Sequence, residues 1–265
     1  MDSPVITLLS DFGLQDEYVG AMKGVILQIC PAARLVDISH LIAPQQVRSA
    51  AFLLYAAHGY FPAGTIHLAV VDPGVGTDRR AVVVKAGGCF FVGPDNGLFS
   101  LILKGKTHWE ARSLENEHLR PNPVSSTFHG RDIFAPAAAH LAAGVAFEKF
   151  GALCGLTPTP WGEPAFAKES VEGEVIHIDR FGNAITNVEI ALLEKWAPAH
   201  CWTARTRGVS VVLAKTYARV TPGEPLALAG SSGFIEIAVN RGNAAAKLGL
   251  RPGLPVKFRL LNPSG

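Results

Sequence analysis

The chain has 265 residues, of which 48% are hydrophobic and 17% charged, with a formal net charge of +2. That length suits one large domain or, better, two of ordinary size. The hydrophobic fraction excludes a disordered chain, and the balanced charge without a basic stripe excludes a nucleic-acid-coating protein, leaving a globular enzyme as the class to pursue.

In chain order, Val5-Ile6-Thr7-Leu8-Leu9 is a short apolar, β-rich run that breaks at Ser10-Asp11-Phe12-Gly13. Tyr18 to Cys30 then carries apolar residues at helical spacing, which predicts a β-loop-α unit. Arg34 to Ile38 reads as a second strand, and Pro44 to Tyr60 as a helix with Pro44 near its first turn and Gly59 near its end. Thr65 to Val71 makes a third strand, and Ala81 to Lys85 and Cys89 to Val92 are strands bordering a turn at Gly87-Gly88. This alternation favours an α/β fold with a Rossmann-like, mostly parallel sheet. Pro94-Asp95-Asn96-Gly97 is a tight-turn signal, and an alanine-rich helix runs from about Ile133 to Ala143, with Pro136 acceptable in its first turn.

The proline-dense stretch Leu156 to Pro164 suits a linker, which divides the chain into residues 1–160 and 161–265. Beyond it come short strand candidates at Gly173 to Ile178, Val209 to Ala214, Pro225 to Ala229, Phe234 to Val239 and Val256 to Leu261, the pattern of a small sandwich or barrel. A brief helix over Ala244 to Leu248 is expected to be capped by Asn243 and ended by Gly249. Cys30, Cys89, Cys154 and Cys201 lie far apart with no Cys-x-x-Cys pair, so they suggest buried thiols in a reducing cytoplasm rather than a zinc site or disulfides. No basic-then-apolar leader follows Met1 and no apolar run approaches the roughly 20 residues needed to span a bilayer, so a cytoplasmic protein without membrane partners is expected.

The segment Ala69 to Arg80 is the strongest site candidate. An apolar run stops in Asp72, enters the loop Pro73-Gly74-Val75-Gly76-Thr77 and ends in Arg79-Arg80. Ligands in open α/β sheets sit beyond the carboxyl ends of strands, so an acid there followed by a bendable loop and a guanidinium can face one. An Asp-Pro turn followed by a surface arginine pair accounts for the same local pattern.

Six motifs occur in order: Ser10-Asp11-Phe12-Gly13, Val71 to Thr77, Gly93-Pro94-Asp95-Asn96-Gly97, Phe128-His129-Gly130-Arg131-Asp132, Ile178-Asp179-Arg180-Phe181-Gly182-Asn183 and Ser231-Ser232-Gly233-Phe234. With them the chain resembles the S-adenosyl-L-methionine (SAM) hydroxide adenosyltransferase family, relatives of the fluorinase and chlorinase enzymes. The resemblance implies an N-terminal α/β domain, a smaller C-terminal β-barrel, and a homotrimer that binds SAM between neighbouring subunits. It also implies cleavage of SAM by water to adenosine and L-methionine, with no metal and no cofactor beyond the substrate. By motif, the residues around the attacking water are Asp72, Arg79 and His129. Asp11 is matched to the ribose hydroxyls, and Asp179, Phe181, Asn183 and Ser231 to the methionine part. Phe128 and Phe234 are further substrate-binding positions, and Val239 and Arg241 lie where the family holds adenine through backbone groups. Halogenating relatives lack the trio and carry an extra loop, whereas here Arg80 passes directly into Ala81-Val82-Val83-Val84. They also have Arg after the matching serine, where this chain has Ser232.

The chemistry accounts for these residue types. Attack at C5′ releases neutral methionine from a sulfonium, so the leaving group needs no help. Water, with a pKa of about 15.7, must be oriented and relieved of a proton. Asp72 can accept its hydrogen bond. Arg79 would keep Asp72 ionised while making it a weaker base, and His129, with an ordinary pKa of about 6.5, suits proton transfer. The acceptor of the proton stays open between them. Local alternatives stay open as well: His129 as a helix cap, Asp11 as a helix-start acid, Asn183 as turn chemistry, and Arg80 in place of Arg79. Competing functions are a halogenase of the same fold, a non-catalytic SAM or adenosine sensor, and a metal-dependent nucleotide phosphatase built on Asp11, Asp16, Asp95 and His40.

Overall fold

The structure, a computed structural model, describes residues 3–158, 162–196 and 202–260. Cys201, Leu261 and the middle of the proline-rich stretch lie outside the described residues. The chain divides into two units, Met1–Pro160 and Trp161–Gly265.

In the first unit the apolar run β1 (Val5–Ser10) is buried from Ile6 onward. It pairs in parallel with β2 (Arg34–Ser39) on one side and β3 (Ile66–Val70) on the other. The helix between β1 and β2, α1 (Tyr18–Ile29), buries Val19, Met22 and Ile26, one face at helical spacing. The helix predicted from Pro44 begins only at Val47 (α2, Val47–His58). Gln45 has φ of +66°, a left-handed conformation that a right-handed helix cannot contain.

Strand β4 (Ala81–Ala86) turns through Gly87 and Gly88, at φ of +56° and +78°, into β5 (Cys89–Pro94). A two-residue connection can join only antiparallel neighbours. β5 is parallel to β3, β4 antiparallel to β5, and β6 (Trp109–Ser113), which sequence patterning missed, antiparallel to β4. The six-stranded sheet, ordered β2-β1-β3-β5-β4-β6, is therefore mixed, with its parallel pairings confined to one side. The expectation of a mostly parallel sheet is met in part: three of its five pairings are parallel and two are antiparallel. A short helix, α3 (Ser100–Leu103), follows β5. The alanine-rich helix starts earlier than predicted, in a π-helical turn over Gly130–Phe134 that runs into α4 (Ala135–Ala142), with Pro136 in its first turn. Ile6, Leu8, Met22, Ile26, Leu68 and Phe134 belong to the core that joins α1 and α4 to the sheet.

The second unit is built from β7 (Ala165–Phe166), β8 (Ser170–Ile178), β9 (Ala184–Glu189), β10 (Trp202–Thr206), β11 (Val209–Val212), β12 (Pro225–Ala229), β13 (Phe234–Val239) and β14 (Pro255–Leu260). All their strand pairings are antiparallel, in the order β11-β10-β14-β8-β9-β13-β12 with β7 beside β8. The two ends meet in one bridge between Leu213 and Ala227, so the sheet closes nearly into a barrel and leaves little free edge. Strand β9 escaped the sequence reading because it is buried on both faces and carries polar residues. Thr186 and Asn187 are buried there, the threonine hydroxyl donating to Ile235 O and the amide to Gly162 O. Helix α5 (Ile190–Trp196) follows β9. Helix α6 (Ala244–Leu248) is capped as predicted, Asn243 Oδ1 accepting from Ala246 N at 2.7 Å and Gly249 ending it at φ +63°. Among the described residues no helix is long and apolar enough to cross a membrane.

Candidate active site

Asp72 stands two residues beyond the end of β3, after the fully buried Val71. The loop that follows folds back on itself, Val75 N bonding to Asp72 O and Thr77 N to Gly74 O, both at 3.2 Å. Its glycines are needed for that path. Gly76 has φ of +77°, and a Cβ on it would fall 2.6 Å from Ser126 O, in the segment leading to His129. A Cβ on Gly74 would press on the Arg79 stem at 3.2 Å.

The returning Arg79 reaches Asp72 with Nε, 2.9 Å from Oδ1 and 3.0 Å from Oδ2, and its Nη2 bonds Oδ2 as well. The same Nη2 lies 2.7 Å from His129 Nδ1, and the guanidinium carbon sits 5.1 Å from the Phe134 ring centre. Both charged side chains are largely buried, Arg79 at 11% exposure and Asp72 at 6%. Arg80 diverges: it pairs with the buried Asp95 through Nε at 3.0 Å and Nη2 at 2.7 Å, and Asp95 also accepts from Thr157 N. Of the two arginines, then, Arg79 meets Asp72 and His129.

A guanidinium has only donors, so His129 Nδ1 must accept, and the proton of the neutral ring lies on Nε2. Burial, with the Arg79 charge adding to it, holds the His129 pKa below its ordinary value. The imidazole is thus neutral and offers Nε2–H as a donor. Sequence reasoning did not single out Asn96 by itself, although its turn was recognised; Asn96 Nδ2 donates to Val71 O at 2.9 Å and pins the backbone beside Asp72.

Asp11, just past β1, accepts from Gln45 N at 2.7 Å through Oδ2. Its carboxyl is held above the usual range by burial, with the Asp72 charge adding to that against the Gln45 N–H. Phe128 packs on Phe12 and Tyr18 at ring separations of 5.9 and 5.1 Å, an aromatic cluster between the Asp11 loop and His129 that patterning did not foresee. Gly130 allows the approach: a Cβ there would come 3.2 Å from both Met22 Sδ and Phe12 Cε2. The phosphatase set does not converge, since Asp95 is committed to Arg80 and His40 Nδ1 to Ser10. Among the described residues no group of three His, Cys, Asp or Glu is placed to hold a metal ion.

In the second unit Asp179 organises a turn after β8. Oδ1 accepts from Phe181 N at 2.9 Å and Asn183 N at 2.8 Å, and Oδ2 from Asn183 Nδ2 at 3.0 Å. Phe181 is left 75% exposed, a conspicuous position for so apolar a ring. Gly182, at φ +85°, lies against the Asn243 side chain, and Ala245 N bonds to its carbonyl at 2.8 Å. That contact sets the Asp179 turn beside the turn holding Val239 and Arg241, where Gly242 N bonds Val239 O at 3.0 Å and Arg241 has φ of +54°. Ser231 lies exposed in the β12–β13 turn, which is closed by Gly230 N bonding to Phe234 O at 2.8 Å. The Phe234 side chain is buried in the barrel wall, so its backbone rather than its ring shapes this turn. Tyr217 and Glu236 escaped the sequence reading: the tyrosine hydroxyl donates to Glu236 Oε1 at 2.6 Å and lies 3.5 Å from Asn183 Nδ2. Burial raises both their pKa values, keeping the tyrosine protonated and the carboxyl above its usual range.

Family models for the SAM hydroxide adenosyltransferase N-terminal and C-terminal domains match residues 6–151 and 173–257. A Thermus thermophilus protein named (R)-S-adenosyl-L-methionine hydrolase is 43% identical over 96% of this chain and 98% of its own length. A Nocardia brasiliensis fluorinase is 28% identical over 97% of each chain. A crystal structure of an uncharacterized conserved protein from Thermotoga maritima superimposes with a TM-score of 0.88 at 39% identity, covering 96% of this chain and 99% of that one.

Proposed function

The chain belongs to the SAM hydroxide adenosyltransferase family, and from that premise we propose that it is a SAM hydrolase in which water attacks the ribose C5′ to release adenosine and L-methionine. The observation that carries the reading is Arg79 bound at once to Asp72 and to His129. As the water oxygen bonds to C5′, the C5′–S bond breaks and its electron pair stays on sulfur, giving a neutral thioether. The water then sheds a proton. His129 Nδ1 is occupied by Arg79, so the ring faces the water as an Nε2–H donor. Among the trio it is the Asp72 carboxylate that keeps spare acceptor capacity. A strong base is unnecessary, because the oxygen becomes sharply more acidic as it bonds to carbon. Asp72 can take the proton late, while fixed donors stabilise the developing charge.

In this reading Asp11 binds the ribose hydroxyls next to the aromatic cluster of Phe12, Tyr18 and Phe128. The turns bearing Asp179, Phe181, Asn183 and Ser231 hold the methionine part, and backbone groups at Val239 and Arg241 hold adenine. The sulfonium is already a good leaving group, so the reaction calls on no metal or redox cofactor, and turnover should survive dialysis against a chelator. Water rather than halide is the nucleophile. The trio supports this, as does β4, which begins at Ala81 directly after Arg80 and so leaves no room for the halogenases' loop. A homotrimer with sites between subunits completes the proposal, testable by light scattering. The free thiols of Cys30, Cys89 and Cys154 suit a reducing cytoplasm.

Incubation with SAM in ¹⁸O-water tests the reaction. Adenosine should carry the label at O5′, and unlabelled adenosine, or none, refutes the assignment.

A further inference from the structure

The loop bearing Asp11 is held by a hydrogen-bond chain that plays no part in the trio. Where β1 meets β2 the register slips: Leu8 lies opposite Asp37 but Leu9 opposite Ser39, so Ile38 is an extra residue. Such bulges re-aim the side chains that follow. His40, just beyond β2 and 3% exposed, comes level with Ser10, and Ser10 Oγ lies 2.7 Å from its Nδ1. On the far side of the ring Nε2 is 3.2 Å from Asp37 Oδ1, and Asp37 is itself bound by Lys23 Nζ at 2.7 Å.

The negative charge of the nearby carboxylate favours the tautomer with its proton on Nε2, although no hydrogen bond of good geometry forms there, and Nδ1 then accepts from the Ser10 hydroxyl. Ser10 Oγ is then free to accept from Phe12 N at 3.4 Å. The His40 backbone carbonyl accepts from Gly13 N at 2.8 Å. One residue thereby holds both ends of the Ser10–Gly13 loop, and Asp11 lies between them with Oδ2 on Gln45 N. Ser, His and Asp together suggest a hydrolytic triad, but Ser10 is fully buried and no substrate can reach it.

We propose that His40 is a positioning residue for substrate binding: through its Nδ1 on Ser10 and its carbonyl on Gly13 N, it fixes the Ser10–Gly13 loop so that the Asp11 carboxylate meets both hydroxyls of the ribose. The inference rests on Asp11 holding the ribose. It concerns the diol alone, so it predicts a defect that follows the diol of the ligand.

Calorimetry on the full chain with adenosine and with 2′,3′-dideoxyadenosine, which lacks the diol, tests it. The wild type should prefer adenosine. His40→Ala should weaken adenosine binding about tenfold, the size of one charge-assisted hydrogen bond, and leave dideoxyadenosine binding unchanged. His40→Asn, whose amide can offer an acceptor near the Nδ1 position, should recover most of the preference. His67→Ala is the control for buried packing. His67 is also fully buried in the same sheet, with Thr7, Phe61 and Phe91 as partners, and its loss should leave the affinity ratio at the wild-type value. If Asp11→Asn abolishes the preference while His40→Ala weakens both ligands equally, or neither, the inference fails and the reading of Asp11 stands. If Asp11→Asn keeps the preference, both fail. Should His40→Ala not fold, Ser10→Ala reads the same ratio, and an unchanged ratio overturns the proposal.

Discussion

Arg79→Met separates the charge of the central arginine from its packing. A methionine can still lie over Phe134, where the guanidinium carbon now sits 5.1 Å from the ring centre, but it offers no charge and no donors. The Asp72 side chain is only 6% exposed, so the substitution leaves a buried carboxylate without its counter-charge, a loss of about 3 kcal/mol. At about 3 °C per kcal/mol for a unit of this size, Tm should fall by about 9 °C. Turnover should fall at least about 100-fold, the cost of removing preorganised stabilisation from a reacting centre, and SAM affinity by much less. His129 should respond as well. Arg79 helps to depress its pKa while burial does most, so the histidine pKa should rise part of the way to its ordinary value. Arg79→Lys keeps the charge, but an ammonium cannot fork across the carboxylate and reach the ring, so it should fall between wild type and Met. Thermal melts, initial rates of adenosine release and a histidine NMR titration measure the three effects. Wild-type melting, wild-type rate or a lowered His129 pKa in Arg79→Met would refute the reasoning.

Arg80→Ala provides the contrast: it strips the buried Asp95, 3% exposed, of its counter-charge and so should also lower Tm, though less because Thr157 N still bonds that carboxylate, but Arg80 does not touch the trio, so activity should stay within about twofold of wild type, and a loss of turnover like that of Arg79→Met would show that the two arginines had been misassigned. Gly76→Ala forces a side chain into φ of +77° and 2.6 Å from Ser126 O, which should cost about 2 kcal/mol and slow turnover; an unchanged melt and rate would show the loop to be freer than described. Acid should destabilise the fold through His67, whose pKa burial lowers to about 4. The unfolded chain takes up that proton near pH 6.5 and the folded chain only near 4, so stability falls as pH drops through that window, by up to about 3 kcal/mol. Denaturant titrations at pH 7 and 4.5 should show a shallower fall in His67→Asn, and identical slopes would count against it.

The elements most legible from sequence are those whose signal is local. The runs forming β1, α1, β2 and β3 carry their periodicity within a dozen residues, and the Asn243 and Gly249 ends of α6 are backbone chemistry at adjacent positions. The mixed sheet was less legible because strand direction depends on partners. Gly87 and Gly88 were recognised as a turn, yet their shortness is what sets β4 against β5. Strand β9 was missed because buried Thr186 and Asn187 erase the alternation that marks a half-buried strand.

The site divides along the same line. The amino-acid sequence by itself determined that an acid follows a buried strand, that glycines let the next loop bend, and that His129 precedes a helix, since each is a property of a few neighbouring residues. Only the tertiary structure decided that Arg79 rather than Arg80 joins Asp72 to a histidine 50 positions away, that Nδ1 of that histidine is an acceptor, and that His40 reaches back across the sheet to Ser10. Adjacent side chains diverge according to the φ and ψ of a loop, and a hydrogen bond between distant residues exists only when sheet register brings its two atoms within 3 Å; neither is encoded in composition or spacing.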